Sequence, residues 1–317
     1  MSEFDLITHY FKHLSPARSD VVLGIGDDCA LLEVPAGMQL AVSTDTLNAG
    51  IHFPDNTSPI DIGHKSLAVN LSDLAAMGAE PAWVSLNLSL PDYDEDWLAG
   101  FCQGFAELAQ EYTVQLIGGD TTRGPLSISV QVYGFVEPGT AMRRDGAQLG
   151  DQIYVTGTLG DAGLGLKQCL SQLSDVPAYC VERLNRPQPR IGPGRMLAEF
   201  SRCAIDISDG LLADLGHILQ QSGCGARIEL DRIPLSTSLA DYYADETDWS
   251  SILGSGDDYE LCFTVTKDRQ NQMLDRLRQQ DVTVTRIGEI TEQGLECLDR
   301  DGQKWEFEHS GYDHFKS

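Results

Sequence analysis

The 317-residue chain has little positive charge: 22 Lys and Arg stand against 48 Asp and Glu, for a formal net charge of −26 at pH 7. Nucleic-acid binding rests on Lys and Arg meeting phosphates, so that class is excluded, and an anionic membrane surface is excluded on the same ground. Long hydrophobic runs are also missing, because each apolar stretch is broken by Gly, Ser, Asp or Pro before it could span a bilayer. The N-terminus lacks the basic start and apolar centre of a signal peptide. Phe4, Ile7, Phe11 and Leu14 instead fall at helical spacing, which predicts an amphipathic helix within residues 1–20. No CxxC pair occurs among the eight scattered cysteines, so the thiols are expected to be reduced and mostly buried. The expected location is cytoplasmic, and the Asn-x-Ser matches at Asn56, Asn70 and Asn87 then carry no meaning as glycosylation sites.

Further absences narrow the chemistry. There is no GxxxxGK[ST], which excludes a P-loop enzyme. Gly24-Ile25-Gly26 has Cys29 where a dinucleotide fingerprint needs its third glycine. There is no GxSxG, and no Ser–His–Asp arrangement follows from spacing. His9 and His13 lie four apart with no Glu after His9, and read as amphipathic surface rather than a zinc site.

What is present is globular: 42% hydrophobic and 22% charged residues, enough for a core in each of two domains. Periodicity predicts strands at 39–43, 83–90, 114–117, 126–136, 152–156, 204–207, 226–230, 261–265 and 282–287. It predicts helices at 62–77, ended by Gly78, and at 94–112, with Trp97, Phe101, Phe105 and Leu108 on one face. Residues 137–151 read as a linker and 186–194 as a Pro-rich loop. The acidic runs at 92–96 and 241–248 read as solubilising surface.

Aspartates recur at the edges of the apolar strands, in Gly26-Asp27-Asp28, Ser43-Thr44-Asp45, Gly119-Asp120-Thr121, Asp206-Ile207-Ser208-Asp209-Gly210 and Gly256-Asp257-Asp258. Asn70 and Asp73, three apart on a helix, share a face. One Asp-Gly turn means nothing. Several at converging strand ends offer hard oxygen ligands of the kind magnesium takes alongside phosphate. Glycines at 118–119 and 157–163 would let main-chain N–H groups approach an anion. Arg123, Arg143 and Arg144 are the scarce cations near such loops, each equally readable as solvated surface. Spacing alone leaves a metal–phosphate site and ordinary turn chemistry both open.

Taken together, Gly24-Ile25-Gly26-Asp27-Asp28-Cys29-Ala30, Ser43-Thr44-Asp45-Thr46-Leu47, Ala68-Val69-Asn70-Leu71-Ser72-Asp73-Leu74-Ala75-Ala76-Met77-Gly78, Gly118-Gly119-Asp120-Thr121-Thr122, Asp206-Ile207-Ser208-Asp209-Gly210-Leu211, Asp258-Tyr259-Glu260-Leu261 and Gly311-Tyr312-Asp313-His314-Phe315 resemble the thiamine-monophosphate kinases over essentially the whole chain. The resemblance implies an aminoimidazole ribonucleotide synthetase-like fold: an α+β N-terminal ATP- and metal-binding domain (1–138) whose mixed sheet dimerises, then an α/β C-terminal domain (139–317) that completes the substrate site. It implies transfer of the terminal phosphoryl group of ATP to thiamine monophosphate, with release of ADP, by a homodimer that uses several magnesium ions. By position, Asp28, Ser43, Thr44, Asp45, Asp73, Asp120, Asp206 and Asp209 match metal ligands, Gly119, Asp120, Arg144 and Ser208 match ATP contacts, and His52 and Tyr312 match contacts to thiamine monophosphate. Asp28, Asp45, Asp73, Asp120 and Asp209 would act in catalysis through the metal. Asp257 stands where the family usually has Glu, at a position that touches substrate in relatives, so it keeps a carboxylate one methylene shorter. The rival readings are a sister enzyme acting on an amide or selenide, a non-catalytic thiamine phosphate- or metal-binding protein, and a metal-dependent phosphatase. Selenide chemistry would need a reactive Cys near the N-terminus, and the first is Cys29, expected inside a strand start.

Overall fold

Ser58 and Pro59 set where the first long helix begins. Proline suits the first helical position, and the Ser58 hydroxyl both accepts from Asp61 N–H at 3.3 Å and donates to the Asp61 carboxylate at 2.7 Å. In the computed structural model, which describes residues 3–244, 247–307 and 311, that helix opens three residues earlier than its apolar spacing predicts.

One compact unit runs up to Leu74 and resumes over Ala79–Gly139. Its elements are α1 (Glu3–Leu6), the ribbon β1 (Val21–Leu23) and β2 (Leu31–Leu32), β3 (Gln39–Asn48), α2 (Pro59–Met77), β4 (Glu80–Leu90), α3 (Glu95–Glu111), β5 (Gln115–Arg123) and β6 (Ser127–Val136). Helical structure at the N-terminus ends with a π-type turn at Ile7–Phe11, well short of residue 20. Pro16 explains the difference, because it disfavours helix at the residue before it and cannot donate.

Four of the described strands of this unit form a mixed sheet in the order β3-β6-β4-β5, with β4 and β5 parallel and joined through α3. One face carries Ile128, Val130 and Val132 of β6 and is buried with Leu67, Leu71 and Leu74 of α2 and Leu98, Phe101 and Phe105 of α3. The two helices pass with their backbones touching. A Cβ on Gly63 would lie 2.0 Å from Phe101 O, and one on Gly104 would lie 1.8 Å from Ile60 O. Asp94 caps α3 by accepting from Trp97 N–H at 3.0 Å, so this member of the acidic run 92–96 does more than solubilise. The other face is partly covered by the ribbon, under which Trp83 donates to Asp20 Oδ1 at 2.9 Å. Elsewhere that face is open, with Leu40 and Val42 exposed beside paired Thr46 and Ser129 hydroxyls 2.7 Å apart.

The second unit comprises Ala75–Gly78 and everything from Thr140 onward. It holds β7 (Gln152–Thr156), α4 (Asp161–Cys169), α5 (Ala178–Asn185), α6 (Ile191–Leu197), β8 (Cys203–Asp206), α7 (Leu211–Ser222), β9 (Gly225–Glu229), α8 (Thr237–Tyr242), α9 (Trp249–Gly254), β10 (Leu261–Val265), α10 (Gln270–Arg278), β11 (Val284–Thr291), β12 (Leu295–Leu298) and β13 (Lys304–Trp305). Among the described residues these strands make one mixed sheet, β13-β12-β9-β11-β7-β10-β8, in which β9 and β12 pair in parallel. Every residue of β7, β8 and β10 is buried. Helix α6 replaces part of the Pro-rich loop expected at 186–194. Its Pro193 falls in the first turn, where a missing N–H costs nothing. Asp248, from the acidic run 241–248, caps α9 by accepting from Ser251 N–H at 3.0 Å. No described helix is long and apolar enough to cross a membrane.

Because no space exists at the α2–α3 crossing, Gly104→Ala is expected to destabilise the protein by about 1–3 kcal/mol through overpacking. Urea unfolding measures this, and Gly118→Ala, at a position where a Cβ would meet nothing within 4 Å, serves as the control.

Candidate active site

Two predicted strands run further than their apolar pattern, and this decides how the aspartates are held. β3 continues past residue 43 to Asn48 and β5 past residue 117 to Arg123, so Asp45 and Asp120 sit inside ladders rather than in turns, opposite Val130 and Asn87. Asp is a poor strand residue, but pairing with one neighbouring strand, β6 for β3 and β4 for β5, overrides that preference. Alternation along β3 then separates its three predicted ligands. Ser43 and Asp45 share the face of Val130 and Val132, under α2, while Thr44 shares the open face with Gln131, whose Nε2 donates to Thr44 Oγ1 at 2.9 Å. The Thr44 side chain therefore points away from the Asp45 side.

Helix α2 meets that side with the shared face of Asn70 and Asp73. The Ser43 hydroxyl donates to Asp73 Oδ2 at 2.5 Å, and Asp45 N–H donates to Asn70 Oδ1 at 2.9 Å. Asn70 is fully buried and is itself oriented by donating to Ser66 O at 3.0 Å. The structure thus brings Ser43, Asp45, Asn70 and Asp73 together. Asp120 is exposed on β5, and Gly119 before it, at φ +148°, lies so close to β4 that a Cβ would be 1.8 Å from Leu86 O. Asp28 is exposed on the loop between β1 and β2, as is Cys29, which lies before β2 rather than inside a strand. The five thiols of Cys102, Cys180, Cys203, Cys262 and Cys297 are buried, and all eight cysteines are free. His52 follows β3, and its Nδ1 accepts from Asn48 N–H at 3.0 Å, which puts the proton of the neutral ring on Nε2. Arg123 is exposed, with Nε donating to Pro91 O at 3.1 Å.

In the second unit, Asp206 ends β8 buried, and Ser208 and Asp209 follow half-buried. Their turn is pinned from both sides. Asp214 of α7 accepts from Ser208 N–H at 2.9 Å and Asp209 N–H at 3.0 Å, while Ser208 O accepts from Asp257 N–H at 2.9 Å. Burial pushes the Asp214 carboxyl up to about 7 against the pull of those two N–H groups. Asp257 and Tyr259 both have positive φ, +68° and +50°, a region Asp tolerates better than Glu. Beneath them Glu260, fully buried, accepts from Arg183 Nη2 at 3.0 Å, Arg190 Nε at 2.6 Å and the Thr156 hydroxyl at 2.6 Å. Arg143 is occupied by a bidentate pair with Asp145 at 2.9 and 2.6 Å. Arg144 lies near enough to Asp214 to favour its ionised form.

In the glycine-rich turn 157–163, N–H groups expected to face an anion are taken by the protein itself. Gly160 N–H is taken by both oxygens of Asp258 at 3.0 Å and Leu159 N–H by Pro234 O at 3.0 Å. Its glycines serve packing: a Cβ on Gly157 would lie 2.2 Å from Glu260, and one on Gly163 would lie 2.3 Å from Ser255. Tyr312 lies outside the described residues. Gly311, before it in the chain, packs against the Asp209 loop, where a Cβ would be 2.7 Å from Asp209 O. Sequence reasoning missed Asp214, Arg183 and Arg190. An Asp within the apolar run of Leu211 to Leu219 is a readable signal for the first, whereas nothing in spacing marks the two arginines.

No group of three or more His, Cys, Asp or Glu side chains is gathered among the described residues so as to hold a metal by itself. The donors that do meet, Ser43 and Asp73, are hard oxygens, and magnesium typically takes one or two carboxylates with water and phosphate oxygens for the rest. The residues fit magnesium bound together with a polyphosphate.

A mixed-sheet unit with carboxylates between strand and helix, followed by a second mixed-sheet unit with an Asp-rich turn, is the setting in which the chain matches the AIR synthase related proteins. Residues 26–136 match the family model for the N-terminal domain of those proteins and residues 148–299 the model for their C-terminal domain. Within that class the resemblance is closer. The chain is 50% identical to the thiamine-monophosphate kinase of Escherichia coli (strain K12), over 99% of this chain and 98% of that one. The solved thiamine-monophosphate kinase of Stenotrophomonas maltophilia K279a superposes with a TM-score of 0.86 at 47% identity, covering 96% of this chain and 98% of that one. A further structure, AaThiL complexed with AMPPCP and TMP, matches at 34% identity with a TM-score of 0.78 over 92% of each chain. The chain belongs to the thiamine-monophosphate kinase family.

Buried Asp258 gives this region a measurable pH signature. Desolvation raises its carboxyl well above the usual range, so the folded chain keeps a proton that the unfolded chain releases near pH ~4. Between that pH and the folded-state value, the contribution of Asp258 to stability falls as pH rises, by at most about 1.4 kcal/mol per pH unit. Chemical unfolding followed against pH is expected to show the native chain losing more stability with rising pH than Asp258→Asn, the difference being the contribution of this carboxyl.

Proposed function

We propose that this chain transfers the γ-phosphoryl group of ATP to the phosphate of thiamine monophosphate, giving thiamine diphosphate and ADP. The observation that carries the reading is 50% identity along essentially the whole length of an enzyme of that name. The joined Ser43–Asp73 and Asp45–Asn70 pairs between β3 and α2 support it.

Transfer between two phosphates is chiefly a problem of charge and alignment, with little covalent chemistry for the protein to do. The acceptor oxygen is already ionised near neutral pH, so no general base is needed. Magnesium supplies neutralisation of the phosphate oxygens and a template for their alignment. In the N-terminal unit Asp28, Ser43, Asp45, Asp73 and Asp120, with the carbonyl of Thr44, would hold the metal, and Gly119 and Asp120 would contact ATP. In the C-terminal unit Asp206 and Asp209 would hold metal, and Arg144 and Ser208 would contact ATP. His52 presents its Nε2–H as a donor suited to the acceptor's phosphate. Asp257 offers a carboxylate suited to the cationic thiazolium ring, and Tyr312 an aromatic face. Exposed Leu40 and Val42 of β3, beside the Thr46 and Ser129 hydroxyls, support a homodimer formed through the open sheet face; the enzyme is assigned to the cytoplasm with its family.

Two measurements test the reading. ADP and thiamine diphosphate are expected to appear one for one, and only with thiamine monophosphate present; ADP without the acceptor, or phosphate release without ATP, would point to a sister enzyme or a phosphatase. Asp73→Asn is expected to lower kcat by about 100-fold at saturating magnesium, as loss of a charge-stabilising group does. Wild-type turnover in that variant would remove the metal scheme.

A further inference from the structure

Asp214 has no part in the residues assigned above, yet it is 3% exposed and makes two main-chain hydrogen bonds through one oxygen. It sits in the first turn of α7, and its own N–H donates to Gly210 O at 3.0 Å. Its Oδ2 closes the turn from Ser208 to Gly210 on the helix side. Gly210, at φ +111°, has a Cβ position only 2.9 Å from Gly254 C, so that corner admits no other residue. The opposite side is closed by Asp257 N–H on Ser208 O, and by Gly256, whose Cβ position lies 2.0 Å from Ser208 O. The main chain of Ser208 and Asp209 is therefore fixed from two directions, and the direction in which each side chain leaves it is set with it. A buried carboxylate is costly compared with an apolar residue of the same size. The two N–H groups it satisfies lie in an irregular turn that offers them no secondary-structure partner.

We infer that Asp214 is a positioning residue for phosphoryl transfer, an acceptor whose oxygen holds Ser208 and Asp209 in the orientation that receives the triphosphate and its metal. The inference rests on the proposed roles of Ser208 and Asp209. It concerns the acceptor oxygen rather than the charge, which distinguishes Asp214 from the ligands it supports.

The test compares Asp214→Ala, Asp214→Asn and Asp209→Asn in the full chain, each verified as folded by near-UV circular dichroism, with thiamine diphosphate formation followed across ATP and magnesium concentrations. Asp214→Ala is expected to raise both the KM for ATP and the half-saturating magnesium concentration by about tenfold, the scale of losing a supporting hydrogen bond to a ligand. Asp214→Asn keeps an acceptor oxygen and is expected to stay within about threefold of the native values. A purely structural role would lower the amount of active enzyme, and so kcat, with both concentration dependences unchanged. Folded Asp214→Ala with native ATP and magnesium dependence overturns the inference, as does Asp214→Asn impaired as badly as Asp214→Ala. If Asp209→Asn also shows native dependence, the assignment of Asp209 has failed and the inference falls with it; if only Asp209→Asn is impaired, the assignment stands and the positioning role alone is lost. Should Asp214→Ala not fold, amide hydrogen exchange at Ser208 and Asp209 in Asp214→Asn decides the matter. Protection within about tenfold of native supports the inference, and fast exchange overturns it.

Discussion

Two polyanions must be held beside carboxylates by a chain of net charge −26, and like charges repel. Nearly every feature of the N-terminal site answers that constraint. Ser43 donates to the Asp73 carboxylate and Asn70 accepts from the main-chain N–H of Asp45, so neutral groups join strand to helix beside the two acidic side chains. The scarce arginines are divided by use. Arg143 is spent locally on Asp145, Arg183 and Arg190 are buried on Glu260, and Arg144 remains near the Asp-rich turn.

The second unit solves a different problem, that of holding irregular loops still. Asp257 and Tyr259 occupy a sparsely populated backbone region, at a cost of order 1–3 kcal/mol each, and such strain persists only where surroundings over-determine it. Here the surroundings are Glu260 with its two arginines and Thr156 below, and the turn of Ser208 alongside. Asp214 completes that frame from α7. Buried charged networks of this kind specify one arrangement of the main chain better than an apolar filling would.

Much of this was legible in the sequence, for identifiable reasons. β7 and β10 are apolar runs bounded by turn residues and were read with their observed ends at 152–156 and 261–265. The shared face of Asn70 and Asp73 followed from helical spacing alone. The reach of β3 and β5 did not, because Asp45 and Asp120 argue locally against a strand and only pairing with β6 and β4 extends it. Nor did the opposite facing of Thr44, which depends on that extension. The glycines at 157–163 read as an anion loop because conformational freedom and tight packing call for the same residue; the structure separates the two by what each Cβ would strike. Long-range partners, such as Arg190 for Glu260 across seventy residues, leave no trace in spacing.

The central claim is that the two phosphates are brought together and the γ-phosphoryl group passes directly between them, with no side chain carrying it. The stereochemical course at phosphorus tests this most directly, using ATP made chiral at the γ-phosphorus with oxygen isotopes and analysing the thiamine diphosphate formed. Direct in-line transfer predicts inversion of configuration. Retention would require two displacements through a phosphorylated residue and would contradict the account.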